Sequence, residues 1–245
     1  MARVTKIEWA TSTWSPITGC SPISEGCKFC FAARMVKRFP VLHKPGVPFS
    51  RIVFHHDRLE APLRRRKPRR IFVGSMTDMF HPAVQITWID RVLEVIAARP
   101  QHTFMVLTKR PENMERQLYG GIINRQLGSG DFLPNLWWGV TVESAAHLNR
   151  INVLRLIPAA IRFVSFEPLL GRVWKQNGIN LVGIDWVIVG CETGPGARPM
   201  DQEWARIIKS QCAAERRAFF AKKATPHDKT LDDLPFELRL REFPV

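Results

Sequence analysis

The stretch RRIFVGSMTDMFHP, residues 69–82, carries the pattern that decides the fold. Ile71–Val73 is a short apolar run without alternation, which suits a strand buried on both faces of a parallel sheet. It runs straight into Gly74-Ser75-Met76-Thr77-Asp78, a polar turn that contains glycine. The same pairing recurs outward from it. Phe104–Leu107 leads to Thr108-Lys109-Arg110, Leu136–Val142 to Glu143, and Ile161–Phe166 to Glu167-Pro168. Trp186–Val189 leads to Gly190-Cys191-Glu192-Thr193-Gly194, and Ala218–Ala221 is a further run. The runs start roughly 25 to 33 residues apart, the length of a strand–helix–strand unit.

Amphipathic segments lie between them. Thr87 is placed to cap a helix carrying Trp88, Val92, Leu93 and Ile96 and ending at Pro100. Ser144 is placed to cap one with Leu148, Ile151 and Leu154, and Asp201 one with Trp204, Ile207 and Ile208. A fourth spans Ala32 to Phe39, stopped by Pro40. The reading is an α/β chain: a single-domain parallel (β/α) barrel, or a partial barrel of the TIM type, over residues 1–224. Residues 41–70, rich in Pro, His and Arg, read as a basic insertion before the second strand. Residues 225–245 read as a tail laid on the domain surface through a short amphipathic stretch, Leu234 to Leu240.

The stretch TGCSPISEGCKFCFAAR, residues 18–34, holds Cys20, Cys27 and Cys30. Three thiols in such a span suit neither paired disulfides nor a closed four-ligand zinc site. They suit a metal centre with one position open, such as an iron–sulfur cluster. Phe29 and Phe31 flank the last cysteine as an apolar lid that would keep water away.

Composition narrows the class. The 245 residues are 45% hydrophobic and 10% aromatic, which fits a folded globular chain. No stretch reaches the roughly 18 apolar residues of a membrane span. The first residues, MARVTKIEWATSTW, contain no apolar signal core, so a reducing cytoplasm is expected. The net charge is +14, and six of the seven residues 64–70 are basic. That charge points to a nucleic-acid or nucleotide substrate, or equally to a solvated basic loop.

Ligands of barrels and open α/β sheets bind at the C-terminal ends of the strands. The residues collected there are Gly74, Ser75, Met76, Asp78, Lys109, Glu143, Glu167, Gly190 and Glu192. The two glycines admit close backbone approach, and Ser75 and Asp78 suit a cationic amine. The three glutamates suit hydroxyls, a purine edge or a second substrate, and a salt-bridged structural role is equally open for each. His55, His56 and His81 receive no role.

Several of these stretches together resemble a known family: KIEWATSTWSPITGC, GCKFCFAAR, RRIFVGSMTDMFHP, HTFMVLTKRP, IRFVSFEPLLG and DWVIVGCETGPGARPM. It is a phage-associated bacterial domain family of unknown function defined by a C-x6-C-x2-C motif. The family is similar to divergent radical S-adenosylmethionine enzymes. The resemblance spans about Lys6 to Phe220. It implies a [4Fe–4S] cluster on Cys20, Cys27 and Cys30, with S-adenosylmethionine chelating the open iron. It also implies a methionine-binding turn at Gly74-Ser75-Met76 and an adenine pocket along Val189–Glu192. The activity implied is reductive cleavage to a 5′-deoxyadenosyl radical that abstracts hydrogen from a substrate, with a reductant protein as electron source. Cys191 stands where relatives carry Gly, and FFAKKAT (residues 219–225) replaces their Phe-Lys-Gln-Trp-like ending. A second reading is a non-catalytic, metal-stabilised nucleic-acid-binding module, in which Cys191 completes a closed zinc or iron–sulfur site.

Overall fold

Seven strands, all parallel, form one curled sheet that makes a half-barrel. The computed structural model describes residue 5 and residues 7–120, 132–174 and 178–244. The strands are β1 (Ser12–Trp14), β4 (Arg70–Val73), β5 (Thr103–Thr108), β6 (Leu136–Thr141), β7 (Ile161–Phe166), β8 (Trp186–Gly190) and β9 (Ala218–Lys223), in that spatial order. The six apolar runs read from the sequence are β4 to β9. A small antiparallel pair, β2 (Ile17–Thr18) with β3 (Val53–Phe54), stands beside β1.

Alternation along the strands builds two cores. Ile71, Val73, Val106, Val140, Val164 and Val187 face the main helix-side core. Met105, Phe163, Trp186, Ile188 and Phe220 face inward, where Trp9 from the N-terminal segment packs among them. Trp9 lies 4.7 Å from Phe72 and 6.2 Å from Trp186 between ring centroids. Gly139 makes room on this inner face, because a Cβ there would stand 2.4 Å from the Phe163 ring. Burial on both faces explains why these strands read as unbroken apolar runs.

The helices are α1 (Phe31–Arg38), α2 (His56–Leu59), α3 (Ile86–Ala97), α4 (Pro111–Gly120), α5 (Asn149–Leu156) and α6 (Gln202–Ala214). Asp201 caps α6 as expected, accepting from the Glu203 amide at 2.9 Å. Thr87 is not the cap: α3 starts at Ile86 with Gln85 at the N-cap position, and no side chain caps it. Ser144 precedes only a 3-10 turn, Ala145–His147, and its hydroxyl donates to Glu25.

Two peripheral regions do more than the sequence suggested. The segment 41–70 supplies β3 and α2 and supports the cysteine loop: Cys20 N–H donates to Phe49 C=O at 2.9 Å. The tail runs antiparallel along the free edge of β9, with Ala221 N–H on Leu240 C=O and Glu242 N–H on Phe219 C=O. Leu234 and Leu238 are buried, and Phe243 packs on Trp186 and Phe220. Arg241 pairs with Glu8 at 3.2 Å, so the tail ties β9 to the segment that leads into β1. No helix among the described residues is long and apolar enough to cross a membrane.

Candidate functional site

The C-terminal ends of β4 to β8 carry Gly74 to Asp78, Lys109, Glu143, Glu167 and Gly190 to Glu192 along one edge of the sheet. The cysteine loop is fastened over the β4 end of this edge. Gly19 N–H donates to Met76 C=O at 2.9 Å, and the Thr77 hydroxyl donates to Gly19 C=O at 2.7 Å. The hydroxyls of Ser15 and Ser75 stand 3.3 Å apart, and Gly74 N–H donates to Trp14 C=O at 2.8 Å. Met76 packs in a small apolar cluster with Ala32 and Val36, against which Cys30 leans. The Gly74-Ser75-Met76 turn thus backs the base of the cysteine loop and Cys30.

Asp78 and Arg110 form the first of three charged clusters. They pair at 3.0 Å, both nearly buried. The Asp78 carboxylate also accepts from the Thr108 hydroxyl and from the amides of Phe80 and Lys109. It is therefore spent on holding the β4 and β5 ends together, where the sequence suggested an amine ligand. Arg110 goes on to donate to Ser21 C=O at 2.8 Å and reaches within 3.8 Å of the Cys20 sulfur.

Glu143, fully buried, centres the second cluster. Its carboxylate takes Lys109 and the Ser24 hydroxyl on one oxygen and Arg150 on the other, the last at 2.7 Å. Lys109 Nζ also lies 3.8 Å from the Cys27 sulfur. Burial pushes the Glu143 pKa up, but Lys109, Ser24 and Arg150 outweigh it and hold the carboxylate ionised. Gly26 sits against this knot. A Cβ there would be 2.6 Å from the Glu143 carboxylate and 2.9 Å from Lys109 Nζ, so only glycine lets the loop come this close.

Glu192 and Arg198 form the third. Arg198 grips the Glu192 carboxylate through Nε at 2.9 Å and Nη2 at 2.6 Å, and donates to Glu25 C=O at 2.8 Å. Its guanidinium stands 5.7 Å from the Phe29 ring, and Gly196 lies under the same ring. Phe29 is thus covered by the loop after β8, whereas Phe31 is 53% exposed. Glu25 binds the Ser144 hydroxyl at 2.9 Å and His147 at 2.8 Å, giving the loop a further anchor beyond β6. Glu167 pairs with Lys222 of β9. Each of the three glutamates therefore has a cationic partner.

The three thiols differ in surroundings. Burial pushes the Cys27 thiol up, but Lys109 and the Ile23 and Ser24 backbone overcome this and leave it below its ordinary value. Burial and then Asp78 push Cys20 up, against Arg110. Thiolates are the metal-binding form, so cations beside Cys20 and Cys27 suit the bound state. The donor set fits an iron–sulfur cluster in chemistry: three half-buried thiols on one loop, two of them beside a cation. Among the described residues, no three His, Cys, Asp or Glu side chains stand in a geometry that would hold a metal ion as they are.

Cys191 is 1% exposed and belongs to the helix-side core. Burial, then Glu167 and Asp228, push its thiol up to about 12. Ser24, Gly26, Arg150 and Arg198 were not singled out from the sequence. Ser24 and Gly26 lie between Cys20 and Cys27, and the six-residue spacer there was the available signal. Arg150 and Arg198 gave none, since each meets its carboxylate only after the chain has turned back.

No curated protein and no solved structure matches the chain. Residues 4–232, nearly the whole length, match the family described as "Protein of unknown function (DUF5131)", and the chain belongs to that family.

Proposed function

We propose that this protein is an iron–sulfur enzyme of the radical S-adenosylmethionine type, working in a reducing cytoplasm and related to the phage-associated three-cysteine domains. The observation that carries the reading is the docking of the three-thiol loop on the C-terminal edge of a parallel half-barrel, with Lys109 and Arg110 beside two of the sulfurs. When bound, the cluster would supply the electron that cleaves the sulfonium of S-adenosylmethionine. Cys20, Cys27 and Cys30 would hold it. Lys109 and Arg110 would favour the thiolates, and Phe29 under Arg198 would limit water. The backbone groups of Gly74 and Gly190 are engaged within the chain, with Gly74 N–H on Trp14 C=O and Leu169 N–H on Gly190 C=O, so a ligand on this edge would be met chiefly by side chains.

Burial of Cys191 in the core argues against a closed four-thiolate site and so against the purely structural reading. The test is anaerobic reconstitution with iron and sulfide, followed by electron paramagnetic resonance with and without S-adenosylmethionine. A cubane signal that changes on adding the cofactor supports the reading. A zinc-only site, or a cluster signal indifferent to the cofactor, overturns it.

A further inference from the structure

The segment that made the chain look like a nucleic-acid enzyme does not lie at the cysteine edge. Residues 64–69 lead into Arg70, the first residue of β4, so they sit where the parallel strands begin. Arg65 donates to the hydroxyl of Ser12, the first residue of β1, at 2.7 Å. Arg99, which ends the α3 connection, donates to Leu63 C=O in the same region. A six-residue strand such as β5 separates this edge from the thiols by about 17 Å.

The charge there is uncompensated. None of the ion pairs among the described residues involves Arg64, Arg65, Arg66, Lys67, Arg69 or Arg99. The Nε atoms of Arg70, Arg99 and Arg217, all at strand starts or just before them, are buried without a hydrogen-bond partner. Of the carboxylates near this edge, Asp185 and Glu242 are used by the amides of Arg162 and Phe219, and Glu215 accepts from the Gln211 side chain. Arg64, Arg66 and Lys67 are exposed. Cations gathered without counter-charge repel one another, and a multivalent anion relieves that repulsion while releasing counterions.

We propose that this strand-start edge is a docking surface for the phosphate backbone of a nucleic acid, separate from the cysteine edge. Contacts to phosphates position a strand without reading its sequence. The surface does not depend on the iron–sulfur reading, since every group it uses is at the other end of the sheet.

Fluorescence anisotropy with labelled 20-nucleotide single-stranded and duplex oligonucleotides tests this on the full chain, with and without reconstituted metal. Binding should be independent of metal and weaken steeply with salt. Arg66→Glu with Lys67→Glu should lower affinity at least ten-fold and reduce the slope of log K against log salt by about two. Arg172→Glu with Lys229→Glu makes the same charge change at exposed sites elsewhere and should alter affinity less than three-fold. Two results would overturn the proposal: no binding in low salt, or equal loss in both double variants, which would mark a generic effect of net charge. Circular dichroism of each variant separates lost binding from lost fold.

Discussion

Lys109 Nζ stands between the Glu143 carboxylate and the Cys27 sulfur, in salt-bridge contact with the first and 3.8 Å from the second. One cation thus serves a buried acid just past β6 and a thiol on a loop 82 residues earlier in the chain. Arg150 neutralises the other carboxylate oxygen, which leaves the Lys109 charge partly free to act on the thiol.

Lys109→Met should therefore raise the Cys27 pKa in the metal-free protein, because the charge that favours the thiolate is gone. In a Cys20→Ala, Cys30→Ala background, iodoacetamide should modify Cys27 at neutral pH about three- to ten-fold more slowly after the substitution. An unchanged pH profile of alkylation would show that the backbone around Ile23 and Ser24, not Lys109, sets the thiol.

The Asp78–Arg110 pair predicts a stability effect. Both side chains are nearly buried, and the carboxylate accepts four bonds in all. Asp78→Ala strands a buried guanidinium and should cost about 3–5 kcal/mol in urea unfolding. Ser75→Ala, on the same turn but with a hydroxyl that among the described residues meets only Ser15, should change stability by no more than about 0.5–1.5 kcal/mol. Equal effects would mean that the pair adds nothing to the backbone ladder that joins β4 to β5.

The strands were legible because burial on both faces leaves an uninterrupted apolar signature, and Phe163 or Val187 cannot be mistaken for surface residues. β1 reads Ser-Thr-Trp and gave no such signal; its place comes from its ladder with Ile71 to Val73. The positions of Asp78, Glu143 and Glu192 followed from the strand ends. The partners of Glu143 and Glu192 did not, since Arg150 and Arg198, only seven and six residues further on, meet them through local turns that leave no periodic signal. The charge of residues 64–70 was plain in the sequence, but its separation from the cysteine edge depends on strand direction.

Thr18 ties the base of the cysteine loop to the insertion, with its hydroxyl 2.6 Å from His43 Nδ1 and 2.7 Å from His55 Nε2. Burial, followed by Arg58, lowers the His55 pKa to about 4 from an ordinary 6.5. The unfolded chain then binds a proton that the folded chain refuses over that interval. Stability is accordingly full above about pH 6.5 and is lost as pH falls towards 4. His55→Gln keeps a hydrogen-bonding group and removes the titration. Its thermal midpoint should fall less steeply than that of the parent between pH 6.5 and 4. Parallel curves would assign the acid sensitivity elsewhere, with His43 the next group to vary.

Cys191 separates an open metal site from a closed one. Its amide donates to Lys223 C=O at 3.0 Å, and the charges that act most on its thiol are Glu167, Asp228, Lys223 and Lys222. Cys20 and Cys27 answer instead to Asp78, Arg110 and Lys109. A thiol pushed up to about 12 in an apolar core is a poor ligand at neutral pH. Cys191→Ala should thus bind as much iron per chain as the parent and cost about 1 kcal/mol from the small volume removed. Cys27→Ala should lose the cluster while retaining its far-ultraviolet circular dichroism, because Cys27 contributes to no core cluster. Iron and acid-labile sulfide assays after anaerobic reconstitution read both. If Cys191→Ala loses iron as fully as Cys27→Ala, four thiolates close the site, no position remains for S-adenosylmethionine, and the radical-enzyme reading gives way to a structural one.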